Sequence, residues 1–236
     1  MSGQIAIVQI CCEKLKRQNL LAEKTLPKCL ESVSKYVLVC PPVEEGGKLG
    51  LTIKELDVPH LWFHGWDKDM SAKWREGLDN LVNNTRCQWL ALLADDVYPD
   101  EDWASEMEAY LTDKSPGQYG FRLSEKNGQR HHQGHDWMAM IDTPYGRKVK
   151  KLNYNIETGE CEESGTPYVA NCVIHRDVYK SIPPFGIFGR SPDVQWSLAI
   201  REAGFPVKFN PKARAYHVGN PLDNRTLGGL PEFSTK

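Results

Sequence analysis

The stretch Leu90–Trp103, LALLADDVYPDEDW, runs from apolar residues into two adjacent carboxylates, Asp95 and Asp96. Val-Tyr-Pro follows, then three more acids and a tryptophan. Read with Cys87–Trp89 ahead of it, the apolar run is a buried strand. If that strand belongs to a parallel sheet, the carboxylates lie just past its carboxyl end, where open α/β sheets bind ligands. An acidic turn leading into a helix accounts for the same residues, so the flanking sequence has to decide.

Working outward, Ile5–Ile10 reads as a short buried strand. Leu26, Cys29, Leu30 and Val33 recur at helical spacing. Tyr36–Cys40 is β-branched and apolar and is stopped by Pro41-Pro42. EEGGKLG (44–50) reads as a loop, and PHLWFHG (59–65) as a third strand. A helix is expected from about Ser71 to Asn83, capped by Ser71, with Trp74, Leu78, Leu81 and Val82 on one face. Asp100 is expected to cap the next helix, whose apolar face is Trp103, Met107, Tyr110 and Leu111. Strand and helix thus alternate through the first half, the signature of a mostly parallel central sheet flanked by helices.

The second half is less regular. Residues 113–165 read as a loop-and-hairpin segment containing HHQGH (131–135) and RKVKK (147–151). TPYVANCVIHRDVY (166–179) returns to a strand and a helical turn. Ser191, Pro192 and Asp193 open a new helix as its cap, first and second residues, and Gly204 ends it. PVKFN and ARAYHV are expected as two short strands. We expect a single domain. It divides into two halves, about 1–112 and about 113–218, the second with a small antiparallel, loop-rich part, and 219–236 is expected as a flexible tail.

At 236 residues the chain is long enough to bury a core, and 40% hydrophobic with 25% charged residues is an ordinary globular composition. A net charge of −2 supplies no global attraction to nucleic acid or anionic membrane. RKVKK is therefore read as a solvated strand face. Seven cysteines without a CxxC pair or disulfide-like spacing point to a reducing compartment. No apolar run is long enough to span a bilayer, and the strand pattern begins at the N-terminus. A cytoplasmic protein is expected.

Two carboxylates past a strand suit a hard cation such as Mg2+ or Mn2+, which takes oxygen ligands and commonly shares them with phosphate. Asp193, in the first turn of a helix, is favoured there by the macrodipole alone and could also serve as a general base. His217, in AYHVG, can ligate a borderline metal or be a plain surface residue. His131, His132 and His135 have metal-like spacing but no cysteine or clear helix, and a polar loop is the better reading. Trp62, Trp66, Trp137 and Trp196 can stack on a sugar or base, with core packing as the default.

The order of these pieces resembles the GT-A glycosyltransferases, in particular the family 2-like inverting enzymes. LADDVYPDEDW is similar to that family's Asp-rich stretch after an apolar strand, a DxD-like motif. GIFGRSPDVQWSLAIREAG is similar to its acidic segment and following helix, and SAKWREGLDNLV (71–82) to the helix before the Asp-bearing strand. The resemblance covers most of residues 4–218. It implies a GT-A, Rossmann-like α/β fold and a metal-dependent transferase that moves a sugar from a nucleotide-sugar, expected to be UDP-linked, to an acceptor hydroxyl with inversion. It further implies that Asp95 contacts the donor, that Asp96 and His217 hold Mn2+ or Mg2+, and that Asp193 is the general base. Lys73 and Arg75 would approach the donor diphosphate. The sequence departs from the family pattern at Ala94, at Pro192, and at Cys40-Pro41, where a base-reading acid is usual; Glu44 or Glu45 are the substitutes at hand. Two other readings stay open: a nucleotidyltransferase of related fold, weakened by the lack of a Gly-rich loop after the first strand, and a non-enzymatic module that binds a glycan or nucleotide.

Overall fold

The computed structural model describes residues 4–63, 70–125, 138–143, 146–151, 171–184 and 192–217. Six residues of unbroken burial form β1 (Ile5–Ile10), and helical chain follows as α1 (Leu15–Leu20), a π-helical turn (Leu21–Thr25) and α2 (Leu26–Ser32). Next come β2 (Tyr36–Cys40), α3 (Lys48–Glu55), β3 (His60–Trp62), α4 (Met70–Asn84) and β4 (Trp89–Ala94). After the acidic pair, β5 (Val97–Pro99) and α5 (Trp103–Leu111) lead to β6 (Gln118–Glu125). A hairpin of β7 (Met138–Thr143) and β8 (Gly146–Lys151) stands apart as its own two-stranded sheet. The chain continues through β9 (Asn171–His175), α6 (Arg176–Ser181), α7 (Pro192–Glu202) and β10 (Val207–His217).

The main sheet has eight strands in the order β3-β2-β1-β4-β9-β6-β10-β5. β1, β2, β3 and β4 pair in parallel, as do β6 and β10, whereas β9 and β5 run against their neighbours. Both faces are covered, which explains the continuous apolar runs of β1, β2 and β4. Ile5 and Ile7 point to one face, where Leu26 of α2, Ile53 of α3, and Trp103 and Met107 of α5 pack. Ala6 and Val8 point to the other, against Trp74 and Leu78 of α4 and Trp196 and Ile200 of α7. Among the described residues no helix is long and apolar enough to cross a membrane.

The expected alternation holds, with local differences. Lys48–Gly50, read as the end of a loop, instead opens the helix Lys48–Glu55, because Leu49 and Ile53 bury one turn apart. Ser71 lies inside α4 and is buried, because the helix begins at Met70. Asp100 does not cap α5: the N-cap is Asp102, without a side-chain bond, and Asp100 Oδ2 instead accepts from the Tyr216 hydroxyl at 3.2 Å. The two short strands expected at the end are one strand, β10, with a pairing irregularity between Asn210 and Ala215. α7 does end at the expected glycine: Gly204 takes φ +87, a conformation open to a residue without Cβ, and its N–H donates to Arg201 O at 2.8 Å. The histidine cluster 131–135 and the tail from 219 fall outside the described residues.

Candidate functional site

The chain leaves β1 toward β2 and β3 on one side and later returns to place β4 on the other. The boundary between β1 and β4 is therefore a topological switch point, the kind of position at which open α/β sheets bind ligands beyond the strand ends. Cys11 and Cys12 follow β1 at this edge, and Asp95 and Asp96 follow β4. Register fixes the alignment, with Ile10 opposite Ala94.

The acidic pair is held from several directions. Cys12 N donates to Asp95 Oδ2 at 2.9 Å, and Thr25 Oγ1 to the Asp95 carbonyl at 3.4 Å. One residue earlier, Gln9 Nε2 donates to the Ala94 carbonyl at 3.1 Å, while its Oε1 accepts from the Tyr36 hydroxyl at 2.7 Å. Arg17 of α1 reaches over the pair: Nη2 bonds Asp95 Oδ1, and Nη1 lies 2.6 Å from Asp96 Oδ2. The carboxylate side chains are 4% and 6% exposed and the arginine 18%, so the ion pairs are shielded from water. Burial works against the guanidinium charge, but Asp96 and Asp95 outweigh it and hold Arg17 more firmly protonated than usual. Burial and the Asp95 charge push the Cys12 thiol up to about 11, and Cys11 well above its ordinary value.

His217 is paired with Val97, the residue after Asp96. The turn from β4 into β5 therefore brings the backbone at the acidic pair beside the end of β10, across a long gap in sequence. Asp193 is the second residue of α7. The side chains of Asp193 and His217 are outside the described set. Lys73 is buried within α4, and Arg75 donates from Nε and Nη2 to Pro184 O at 3.3 and 2.7 Å, tying α4 to the segment after α6. Cys40 is buried, whereas Glu44 and Glu45 are exposed. Trp196 is core, with Nε1 donating to Ile182 O at 2.8 Å; Trp62 is 44% exposed, while Trp66 and Trp137 lie outside the described residues.

Among the described residues no group of three or more His, Cys, Asp or Glu is arranged to hold a metal ion. The donor set still fits a hard cation. Both Asp95 oxygens accept hydrogen bonds from the protein, and Asp96, whose Oδ2 pairs with Arg17 Nη1, is a second carboxylate one residue from the position paired with His217. Such a cation commonly takes one or two protein carboxylates and completes its shell with water and phosphate oxygens.

Nothing in the sequence marks Arg17 as a site residue. Its partners lie about eighty residues away, and α1 buries none of its own residues, so KLKRQNL shows no amphipathic signal.

No protein-family model matches the sequence, and no curated protein is similar to it. Solved structures are similar in fold. GalNAc-T7, crystallised with UDP, GalNAc and Mn2+, aligns with a TM-score of 0.62 at 15% identity, over 92% of this chain and 44% of that one. S. aureus TarS aligns with a TM-score of 0.57 at 10% identity, over 92% of this chain and 37% of that one. The chain thus spans less than half the length of either. With β4 and its acidic pair at the switch point of a mostly parallel sheet, the chain has the GT-A glycosyltransferase fold.

Proposed function

We propose that this protein transfers a sugar from a nucleotide-sugar, most simply a UDP-sugar, to an acceptor hydroxyl with inversion, with a bound divalent cation, Mn2+ or Mg2+. The observation that carries the reading is the buried Asp95-Asp96 pair beyond the central strand, beside the backbone of His217. Support also comes from GalNAc-T7, a protein of similar fold crystallised with UDP, GalNAc and Mn2+.

In this reading Asp96 holds the cation, with His217 as a further ligand. Asp95, oriented by Cys12 N and Arg17, contacts the donor. Lys73 and Arg75 belong to the helix that approaches the diphosphate. Asp193 accepts the proton of the incoming hydroxyl as that oxygen attacks the anomeric carbon on the face opposite the leaving nucleoside diphosphate. The anomeric carbon gains oxocarbenium character on the way, as in glycoside hydrolysis. When bound, the cation supplies Lewis-acid stabilisation of the negative charge on the departing diphosphate.

The test is a panel of nucleotide-sugars with Mn2+ and candidate acceptors, read by the released nucleotide product. Nucleoside diphosphate is expected. Asp96→Asn and Asp193→Asn should each abolish release without unfolding the protein, and full activity in both would overturn the roles. Pyrophosphate release would instead assign nucleotidyl transfer. Nucleotide-sugar binding without turnover on any acceptor would assign a binding module.

A further inference from the structure

Arg17 contacts both carboxylates that the proposed function assigns to donor and cation. Taken together, the two carboxylates and the Arg17 guanidinium carry a single net negative charge. A divalent cation entering alone would turn that into a net positive charge in a poorly hydrated place, with a guanidinium only a few ångströms away. A cation entering with a diphosphate brings its own compensating anion. Arg17 also keeps an unmet donor, since its Nε is buried without an acceptor. The side chain is therefore not fully satisfied by the two aspartates, its Nε keeping an unused donor.

We propose that Arg17 is the resident counter-cation of the Asp95–Asp96 pair: it holds the carboxylates in place in the donor-free site and suppresses divalent-cation binding until a nucleoside diphosphate arrives. The inference rests on the proposed function for the identity of the ligands. It makes Arg17 a positioning residue that imposes an order, with cation and diphosphate binding as a linked pair. By linkage, each then raises the affinity for the other by the same factor.

The experiment is a Mn2+ titration without donor, following the electron paramagnetic resonance signal of free Mn2+, on the wild type, Arg17→Met, Arg17→Lys and Arg17→Met/Asp96→Asn. Wild type should bind weakly. Arg17→Met should bind about tenfold tighter or more, the order expected when a full positive charge nearby is removed. The double variant should lose that gain. Thermal unfolding gives an independent readout: Mn2+ should raise the Tm of Arg17→Met more than that of wild type, because the cation replaces the missing positive charge. If Arg17→Met fails to fold without metal, its recovery by Mn2+ supports the proposal and its failure to recover counts against it. Arg17→Lys, with a charge but no two-pronged reach, should fall between wild type and Arg17→Met; an affinity no tighter than wild type in both single variants overturns the proposal. Repeating the wild-type titration with UDP separates the two readings. Absence of any mutual enhancement there counts against a nucleotide-sugar site, while tightening in Arg17→Met still establishes Arg17 as the competing cation.

Discussion

Gly77 of α4 lies directly on Val8 of β1: a Cβ placed on the glycine would come 2.4 Å from Val8 Cγ1 and 2.9 Å from Val39 Cγ2. The missing side chain is what lets the helix settle between the β1 and β2 strands, and the same helix carries Lys73 and Arg75. Gly77→Ala should therefore destabilise, despite alanine's better helix propensity, by about 1–3 kcal/mol through overpacking. Urea denaturation measures the loss; an unchanged or stabilised protein would show that the helix can lift at no cost.

Trp103 opens α5 and donates from Nε1 to Asn171 Oδ1 at 3.0 Å, with both residues buried. The bond links the helix after the acidic turn to β9. Trp103→Phe keeps most of the ring's packing but removes the donor, and should cost about 1–3 kcal/mol. A cycle with Asn171→Ala should show coupling, with the double variant losing less than the two single losses combined.

Asp95→Ala removes one of the two anions that compensate Arg17. Stripping a partner from a buried ion pair costs about 3–5 kcal/mol, and the low end applies because Arg17 retains Asp96. Thermal unfolding of the ligand-free protein should show this loss whatever the enzymatic assay reports. A fully stable Asp95→Ala would mean that the clasp adds nothing to the fold.

His175 caps α6, its Nδ1 accepting from Asp177 N at 3.2 Å, and its ring packs edge-on against Trp89 at 4.8 Å. Burial lowers its pKa below the ordinary 6.5, partly offset by Asp177. A depressed folded-state pKa means that the stability contribution is present above 6.5 and is lost as pH falls through the lower folded value. Thermal scans should show a drop on the acid side of 6.5 that is blunted in His175→Asn, which still supplies a neutral cap.

Cys12, although only half-buried, is held at about 11 by burial and by Asp95. Its thiol should resist alkylation near neutral pH and become reactive only as pH approaches that value. Because the folded pKa is raised above the ordinary 9.0, its stabilising contribution is intact below 9.0 and lost as pH rises toward about 11. Mass spectrometry after timed alkylation reads the first effect. Fast labelling of Cys12 near neutral pH would contradict the geometry around Asp95.

Much of the parallel half was legible because its strands are buried on both faces. The runs IAIVQI, YVLVC and WLALLA can only be interior, and Trp74, Leu78 and Leu81 mark the buried side of α4. The position of the acidic pair followed from that pattern. What stayed hidden depends on partners distant in sequence. β5 is three residues long and ends in proline, so only its pairing with β10 makes it a strand. α1 has no buried residue to signal a helix, and Arg17 is placed by the carboxylates it meets after folding. The π-helical turn Leu21–Thr25 aims Thr25 at the Asp95 carbonyl, a local distortion without a simple sequence pattern.

The irregularity in β10 sets the phase of the strand's end. Between Asn210 and Ala215 the chain advances by five positions while its partner β6 moves only from Phe121 to Leu123, and the surplus is an odd number of residues. In a structure that alternates sides at every step, an odd surplus inverts which side each later residue faces. The irregularity thus works as a parity inverter: Ala213 and Ala215 face the side of the sheet opposite Val207, although each lies an even number of positions from it. Deleting one residue within it would reverse the outlook of that last strand segment while leaving its composition almost untouched.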